Sequence, residues 1–283
     1  MNILELYKNS IELLKNKGIL TYKLDVKILL SFLLNIDTNE LILYFNKDVD
    51  GFFVSKFDLL LNRRLNNEPI ANIIGKKAFW DYEFFVNENV LTPRSDSEIL
   101  IEAVLENFED TDANLKILDL GTGSGCLILT LLKIYKNSFG VAVDISEKAL
   151  EVAKINAKKL DVKNIEFLNN NLNVGIEDKF DIIISNPPYI PKGEIDDLEP
   201  EVNKFNPIIS LDGGVDGLDF YRYFSKNLFK NLKKNTNIFF EIGKGQDKDI
   251  ITIFEKNNYR LVNIYKDLAG VNRILCFSYI NQH

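Results

Sequence analysis

A regular alternation of predicted strands and helices from Leu115 onward constrains the fold of this chain more than any other feature. Residues 116–120 predict a strand, the loop Gly121-Thr122-Gly123-Ser124-Gly125 follows it, and residues 126–135 predict a helix. The next strand is expected at residues 140–145. Strands that alternate with helices of this length predict an α/β fold with a parallel, doubly wound sheet and right-handed crossovers.

The same alternation continues to the end of the chain. Later strands are expected at residues 165–168, 181–185 and 236–242, and helices at residues 146–160, 215–232 and 246–257. Two final apolar segments, residues 259–265 and 273–280, are predicted to form an antiparallel pair if a hairpin-like turn through Ala269-Gly270 connects them.

Residues 1–70 predict a small helical domain. Apolar residues recur there at helical spacing, at Leu4, Tyr7, Ile11 and Leu14 and within residues 26–33, 41–45 and 57–65. We interpret this domain as one that docks the substrate, and the alternative is a purely structural scaffold.

Residues 71–93 differ in character from the helical region before them. Residues 79–86 are rich in aromatic side chains and partly alternate, and Asn87-Glu88-Asn89 is a turn signal after them. These features predict a β-hairpin linker.

Residues 99–108 predict a further helix, and Ser97 or Asp96 is its expected N-cap. Two charged side chains flank this cap. Arg94 and Glu98 are either a structural pair that holds the linker or residues that contact the substrate.

Charge and cysteine content narrow the class of protein. The net charge of −7 over 283 residues gives no overall attraction to nucleic acid, although it leaves room for a local basic patch. Cys126 and Cys276 lie within apolar runs, which predicts buried thiols in a reducing compartment, and we expect a cytoplasmic protein. Neither a membrane-spanning stretch nor a secretory signal is visible in the sequence.

The single histidine of the chain, His283, is its last residue. Catalysis by a histidine base and zinc sites that need histidine are therefore not expected, and we predict no metal site.

The segment Ser185-Asn186-Pro187-Pro188-Tyr189 follows a predicted buried strand and is the strongest candidate for chemistry. The two prolines stiffen the backbone. The side-chain oxygen of Asn186 and the carbonyl oxygen of Pro187 are two acceptors, which together with the ring of Tyr189 can grip a planar –NH2 group. The alternative is an ordinary Asn-Pro turn.

The carboxyl ends of the first two strands predict a cofactor site, because ligands bind at that edge of a doubly wound sheet. Glycines in the loop after the first strand let the backbone approach a ligand, and Asp144 can accept hydrogen bonds from both hydroxyls of a ribose. These features fit a nicotinamide cofactor as well as S-adenosylmethionine.

Three details favour S-adenosylmethionine. Asp119 precedes the loop, where an acid suits an amino group and not a pyrophosphate. The loop is Gly-x-Gly-x-Gly and not the dinucleotide fingerprint. The segment that contains Asn186 is delivered to the same edge. The amides of Asn169-Asn170-Asn171-Leu172 could reach an adenine, or they form a simple polar loop.

The glycine loop, Asp144 and Asn186-Pro187-Pro188-Tyr189, in this order, resemble class I S-adenosylmethionine-dependent methyltransferases that modify –NH2 groups. Further motifs resemble the protein-glutamine methyltransferases that act on peptide-chain release factors. These motifs are Glu68-Pro69 with Gly75 and Phe79, Pro93-Arg94-Ser95-Asp96-Ser97-Glu98, Gly213-Gly214-Val215-Asp216-Gly217-Leu218-Asp219, Glu241-Ile242-Gly243 with Gln246, and Asp267-Leu268-Ala269-Gly270 with Arg273.

This resemblance covers essentially the whole chain. It implies a helical domain at residues 1–70, a β-hairpin linker at residues 71–93, and a seven-stranded, Rossmann-like class I methyltransferase domain at residues 94–283. It also implies methylation, by S-adenosylmethionine, of the glutamine side-chain amide in the Gly-Gly-Gln motif of release factors, which act in translation termination. Direct nucleic-acid binding and membrane association are not expected.

The resemblance also implies the site residues. The catalytic residues would be Asn186, Pro187 and Tyr189, and Pro188 would join them in binding the substrate. The cofactor-binding residues would be Asp119, Gly121, Thr122, Gly123, Ser124, Gly125, Asp144, Ile145, Asn171, Leu172 and Asn186.

The chain departs from the family pattern at several positions. Ser95 replaces the usual proline, Ser97 the usual threonine, and Asn206 the usual glutamate before Pro207. Asn171 replaces an aspartate and Leu172 an aromatic residue, so these two positions put the adenine contacts in doubt.

Three alternative functions remain open at this point. A DNA or RNA exocyclic-amine methyltransferase uses the same tetrapeptide, but the acidic chain and the lack of a recognisable target-recognition module oppose it. The second alternative is a non-catalytic cofactor-binding subunit. The third is a dehydrogenase, which titration of cofactors into the pure protein would test.

Overall fold

The structure is a computed structural model, and it describes residues 1–280. Its helices and strands group into two units. The first consists of Met1–Lys76 and Glu199–Phe205, and the second of Lys77–Leu198 and the chain from Asn206 onward. Each unit has a hydrophobic core of its own.

The first unit is helical, as the spacing of its apolar residues predicts. It contains α1 (Ile3–Asn16), α2 (Tyr22–Leu34), a 3-10 helix (Thr38–Tyr44), α3 (Gly51–Leu65) and α4 (Ile70–Ile74). A capping box begins α1: the side chain of Asn2 accepts from the backbone of Glu5, and the side chain of Glu5 accepts from the backbone of Asn2. Leucines of α1 and α2 pack around Phe57 of α3 in the core.

A distant segment of the chain belongs to this helical unit, which the sequence analysis did not anticipate. Arg64 of α3 is only 2% exposed. Its guanidinium donates to Asp25 Oδ2 at 2.6 Å and to Glu201 Oε1 at 2.6 Å. The side-chain amide of Asn72 donates to the carbonyl of Phe205 at 3.3 Å. Residues 199–205 are therefore attached to the helical unit by partly buried polar contacts.

A two-stranded hairpin follows α4 and consists of β1 (Lys76–Phe79) and β2 (Tyr82–Phe85). Its turn lies at Trp80-Asp81, where Trp80 has a φ of 53°, and the expected turn at Asn87-Glu88-Asn89 is not part of it. Residues 87–90 form a separate turn in which Asn87 Oδ1 accepts from Asn89 N. A turn therefore forms at the predicted position, but residues 90–94 after it are not a strand.

The second unit is built on one sheet of seven strands. These are β3 (Lys116–Leu120), β4 (Phe139–Asp144), β5 (Ile165–Asn169), β6 (Phe180–Ser185), β7 (Leu232–Glu241), β8 (Tyr259–Lys266) and β9 (Asn272–Tyr279). Their order is β5-β4-β3-β6-β7-β9-β8. The first five of these positions pair in parallel, and β9 is antiparallel to both of its neighbours. The predicted α/β fold is thereby confirmed.

Helices cover both faces of this sheet. They are α5 (Glu98–Asn107), α6 (Cys126–Ile134), α7 (Glu147–Lys159), α8 (Asp219–Asn227) and α9 (Asp247–Glu255). One core contains residues of α5 and α6, and the other contains Phe224 and Phe254, from α8 and α9, with Phe240. The strand order reverses between β3 and β6, so the carboxyl ends of β3, β4 and β6 form the edge where a ligand is expected.

The helix predicted at residues 215–232 is wrong at both ends. The observed helix, α8, begins at Asp219 because the preceding segment forms a tight loop. Gly217 has a φ of 77°, and a Cβ there would lie 2.3 Å from the carbonyl oxygen of Tyr189. The helix ends at Asn227, where a 3-10 turn (Leu228–Asn231) takes over.

Within residues 1–280, no helix combines the length and the apolar character needed to cross a membrane. Both cysteines are free thiols. Cys276 is buried, as predicted, whereas Cys126 is only partly buried.

Candidate active site

The glycine loop after β3 is fixed to β4 by backbone hydrogen bonds. Gly121 N and Thr122 N each donate to the carbonyl of Val143 at 2.9 Å. Gly125 has a φ of 79°, and a Cβ there would lie 3.0 Å from Leu129 of α6 and 3.3 Å from Ala153 of α7. Glycine is required at position 125 because both the backbone conformation and the close packing exclude a side chain.

Asp144 ends β4 and organises the loop from the other side. Its Oδ2 accepts from Gly123 N at 2.8 Å, and its Oδ1 accepts from Ser146 N at 2.9 Å. Burial raises the pKa of Asp144, and these backbone bonds oppose the rise. Each carboxylate oxygen keeps one further lone pair. Asp144 can therefore hold the loop and still accept hydrogen bonds from ligand hydroxyls.

Asp119 lies beneath the glycine loop and is 1% exposed. Its Oδ2 accepts from the hydroxyl of Thr122 at 2.7 Å, whereas its Oδ1 has no hydrogen-bond partner within residues 1–280. Burial raises the pKa of Asp119 to about 7, and the hydrogen bond from Thr122 opposes that rise. An unpaired, buried carboxylate oxygen is unfavourable, so a neighbouring cation would stabilise it.

One cavity runs along the carboxyl ends of β3, β4 and β6. It brings together most of the residues predicted to bind the cofactor, namely Gly121, Thr122, Gly123, Ser124, Asp144, Ile145, Asn171, Leu172 and Asn186. Pro188 and Arg94 also line it. Four of the predicted site residues do not line the cavity: Asp119, Gly125, Pro187 and Tyr189. Asp119 lies under the glycine loop, and the other three are each adjacent in sequence to a lining residue.

The asparagines at the end of β5 and just after it fix the backbone of this region and line part of the cavity. The side-chain amide of Asn169 donates to the carbonyls of Asp144 and Ile145, at 3.1 and 2.9 Å, and so ties the end of β4 to β5. Asn170 bonds within its own loop, to Val174 O and Asn171 N. Asn170, Asn171 and Leu172 all line the cavity, and Leu172 has a φ of 56°.

Asn186 is held by a chain of side-chain hydrogen bonds. Its Nδ2 donates to Ser97 Oγ at 3.2 Å, and the Ser97 hydroxyl donates to Glu241 Oε2 at 2.5 Å. The Tyr189 hydroxyl donates to the other oxygen of the same carboxylate, Oε1, at 3.3 Å. Because the amide nitrogen is bonded to Ser97, the Oδ1 atom of Asn186 is the one left to accept from a ligand.

Glu241 is 2% exposed at the end of β7. Burial raises its pKa, while the Ser97 hydrogen bond, the positive charge of Arg94, the Tyr189 hydrogen bond and the charge of Arg273 lower it. Burial, with the charge of Glu241, also raises the pKa of Tyr189 to about 12, so this phenol stays protonated at neutral pH.

Two further motifs, those that contain Gln246 and Gly213, fix the backbone around Tyr189. The side-chain amide of Gln246 donates to the Tyr189 carbonyl at 2.8 Å, and its oxygen accepts from Gly243 N at 3.0 Å. At Gly213, a Cβ would lie 2.8 Å from the carbonyl oxygen of Pro188. The backbone of this loop is therefore packed against glycines as well as hydrogen-bonded.

Ser97 and Glu241 are residues to which the sequence analysis assigned no role in the site. Of the two predicted N-cap residues of α5, Ser97 and Asp96, the structure places Ser97 at the N-cap position, but its side chain makes no capping hydrogen bond. Neither side chain caps α5: Ser97 bonds to Glu241, and Asp96 forms an ion pair with Arg273 at 3.1 Å. Both Ser97 and Glu241 lie in motifs quoted for the resemblance, and that is the signal that could have identified them.

Arg94 and Glu98 do not form a pair. Glu98 Oε1 accepts from the backbone N–H of Trp80, at 2.9 Å, and so fixes the turn of the hairpin. Arg94 instead lines the cavity. The structural alternative therefore describes Glu98, and Arg94 remains available to a ligand.

Among the described residues, which exclude His283, no cluster of histidine, cysteine or acidic side chains is suited to hold a metal ion.

Two protein-family models match the chain. The model described as "PrmC N-terminal domain" matches residues 5–75, and the model described as "Methyltransferase small domain" matches residues 95–199.

Curated relatives extend over most of the chain. The "Bifunctional methyltransferase" of Rickettsia felis is 38% identical over 293 residues, which cover 93% of this chain and 55% of that protein. The chain thus spans little more than half the length of this relative. The "Release factor glutamine methyltransferase" of Caulobacter vibrioides is 35% identical over 264 residues, which cover 93% of this chain and 91% of the relative.

Among solved structures, a methyltransferase from Pyrococcus furiosus superposes with a TM-score of 0.54 at 19% identity. The match covers 76% of this chain and 97% of that one, and it shows the fold alone. The Caulobacter protein is matched over nearly its whole length, at an identity that establishes common family membership. This chain belongs to the release factor glutamine methyltransferase family.

Proposed function

We propose that this protein transfers a methyl group from S-adenosylmethionine to a glutamine side-chain amide in the Gly-Gly-Gln motif of peptide-chain release factors. The observation that carries the proposal is that Asn186 lines the same cavity as the glycine loop and Asp144. An acceptor for a planar amide and a candidate cofactor site then share one space. The names of the relatives support release factors as the substrate.

The residues of the cavity fit S-adenosylmethionine. Asp144 would accept from the ribose hydroxyls, and Ile145, Asn171 and Leu172 would contact the adenine side. The unpaired Oδ1 of Asp119 beneath the glycine loop would be stabilised by the positively charged amino group of the methionine part. When bound, the cofactor supplies an electrophilic methyl group on a sulfonium.

The protein's own part in the reaction is to orient a poor nucleophile. The lone pair of a primary amide nitrogen is delocalised, so its attack requires accurate alignment. Asn186 Oδ1 and the carbonyl oxygen of Pro187 would accept the two amide hydrogens and stabilise the positive charge that develops on the nitrogen. Tyr189 would pack beside the amide. This scheme requires no strong base, because the methylated nitrogen releases its proton readily.

The helical unit is proposed to dock the release factor, since the sheet unit contains all residues that line the cavity. We also propose a cytoplasmic location, because release factors act in translation termination. A DNA or RNA amine methyltransferase is not favoured, because the relatives that establish the family are named for a protein substrate.

The direct test is incubation with labelled S-adenosylmethionine and three acceptors: a release factor, the same factor with the motif glutamine replaced by alanine, and nucleic acid. We expect label only in the first, at the motif glutamine, as located by mass spectrometry of peptides. Label in nucleic acid, or equal label in the glutamine-free factor, would contradict the proposal.

A further inference from the structure

Ser97 occupies the start of α5 but does not serve as a helix cap. Serine is among the preferred N-cap residues, yet the Ser97 side chain makes no capping hydrogen bond. It is 3% exposed and points into the unit, where it connects Asn186 to Glu241. The hydrogen bonds of the Ser97 side chain therefore do not stabilise the helix.

The direction of the two hydrogen bonds carries information. In the hydrogen bond between Ser97 and Glu241, the Ser97 hydroxyl donates its proton and Glu241 Oε2 accepts it. The Ser97 oxygen then presents a lone pair to Asn186. Only the –NH2 end of the Asn186 amide can pair with a lone pair, because the alternative would bring two acceptors together.

We propose that Ser97 and Glu241 are positioning residues that hold the Asn186 amide in one orientation, with Oδ1 turned toward the substrate. The inference rests on the proposed function of Asn186. Without the hydroxyl, a half turn about the last side-chain bond would place the –NH2 group where the acceptor should be. The substrate amide would then meet a donor and would not be aligned.

The Glu241 carboxylate also contacts Tyr189, at the other end of the Asn186-Pro187-Pro188-Tyr189 segment. Its Oε1 accepts from the Tyr189 hydroxyl at 3.3 Å, and the backbone carbonyl of Glu241 accepts from the Tyr221 hydroxyl at 2.7 Å. Glu241 thus joins Asn186, through Ser97, to Tyr189 and to α8. One buried acid at the end of β7 fixes two residues of the Asn186-Pro187-Pro188-Tyr189 segment.

The test compares three variants at position 97. Ser97→Thr keeps the hydroxyl, Ser97→Val has nearly the shape of threonine without it, and Ser97→Ala removes it with the smallest change in volume. For methylation of a release factor, we expect kcat to fall about 10²-fold in the valine and alanine variants and to recover in the threonine variant. The affinity for S-adenosylmethionine, measured by calorimetry, should stay within about twofold in all three.

The amide orientation is tested separately by NMR. In ¹⁵N spectra, the side-chain amide signal of Asn186, assigned by its loss in Asn186→Ala, should be dispersed and slow to exchange in the wild type. We expect fast exchange or broadening in Ser97→Ala and Ser97→Val, and recovery in Ser97→Thr. This readout needs no release factor.

Two outcomes would overturn the inference: an unchanged amide signal and kcat in the alanine variant, or equal losses in the threonine and valine variants. A wild-type protein that methylates no release factor would refute the proposed function instead. In that case the amide signal would still decide whether Ser97 orients Asn186. Thermal unfolding of each variant excludes loss of folding as the cause.

Discussion

The two sides of the cavity are held in place by different kinds of contact. On the cofactor side, backbone N–H groups of the glycine loop bond to the Val143 carbonyl and to Asp144, 21 residues away along the chain. On the substrate side, Asn186 depends on the side chain of Ser97, 89 residues away, and Tyr189 on that of Glu241, 52 residues away.

This difference has a consequence for function. A backbone-held loop keeps its shape when neighbouring side chains change, provided that its glycines and its acidic partner remain. A loop held by side chains can be loosened at one position without effect on the other side. Cofactor binding and methyl transfer should therefore be separable by substitution.

The largest expected effect on kcat is on the substrate side. Asn186→Ala removes the acceptor that orients the amide, and loss of one such hydrogen bond lowers kcat by ~10²–10³-fold. Cofactor affinity should be nearly unchanged, as measured by calorimetry beside single-turnover methylation. Asn186→Asp should also be poor, because its charge would be buried beside the bound substrate amide, where the wild type has a neutral amide. Near-normal turnover of the alanine variant would reduce Asn186 to a turn residue.

A substitution on the cofactor side should instead weaken the binding of S-adenosylmethionine. Asp144→Ala removes an acceptor of two ribose hydroxyls, and each such bond to a charged group is worth about 1.5–3 kcal/mol of binding free energy. The variant should also unfold at a lower temperature, because Gly123 N and Ser146 N lose their acceptor. Asp144→Asn, which keeps one oxygen, should lose less of both.

Calorimetry and thermal unfolding measure the two effects of Asp144→Ala separately. Unchanged affinity in the folded variant would remove Asp144 from the cofactor site. It would also show that cofactor binding does not depend on the contacts of Asp144 with the glycine loop.

The smallest expected effect concerns pH and Asp119. Burial raises the pKa of Asp119 to about 7, and a cation bound nearby would lower it again. The free protein then holds the proton more tightly than the complex does, so affinity should fall by up to about tenfold per unit as pH drops below 7.

Calorimetric titrations of S-adenosylmethionine across this pH range measure the effect. Asp119→Asn cannot titrate at this position. Its affinity for S-adenosylmethionine should be weaker than that of the wild type at high pH and should not change as the pH drops below 7. Glu102→Gln, on an exposed part of α5, is the matched control and should follow the wild type. A wild-type affinity that does not change with pH would separate Asp119 from the cofactor.

The contrast between local and distant contacts also explains what the sequence could predict. Buried strands such as β6 are recognisable because both of their faces are covered, which selects β-branched and apolar residues. The glycine loop and Asp144 could be placed because they follow directly from strand ends. No local pattern reveals that Ser97 bonds to Glu241, since the two lie 144 residues apart.

Local signals also misled where tertiary packing decided the outcome. Ser97 has the chemistry of an N-cap, but a buried carboxylate competes for its hydroxyl. Residues from 215 read as helix, but Gly217 packs against the Tyr189 carbonyl and delays the start of α8. The hairpin turn lies at Trp80, whose positive φ is supported by a bond from its N–H to Glu98.

The short segment Glu199–Phe205 bears on how the chain folds during synthesis. Its Glu201 reaches Arg64 across 137 residues, and Arg64 is buried with Asp25. Although residues 1–76 precede the sheet in the sequence, the ribosome must synthesise the chain as far as residue 205 before the helical unit is complete. Until then the charge of Arg64 lacks one of its two acidic partners, and the helices emerge from the ribosome as an incomplete unit.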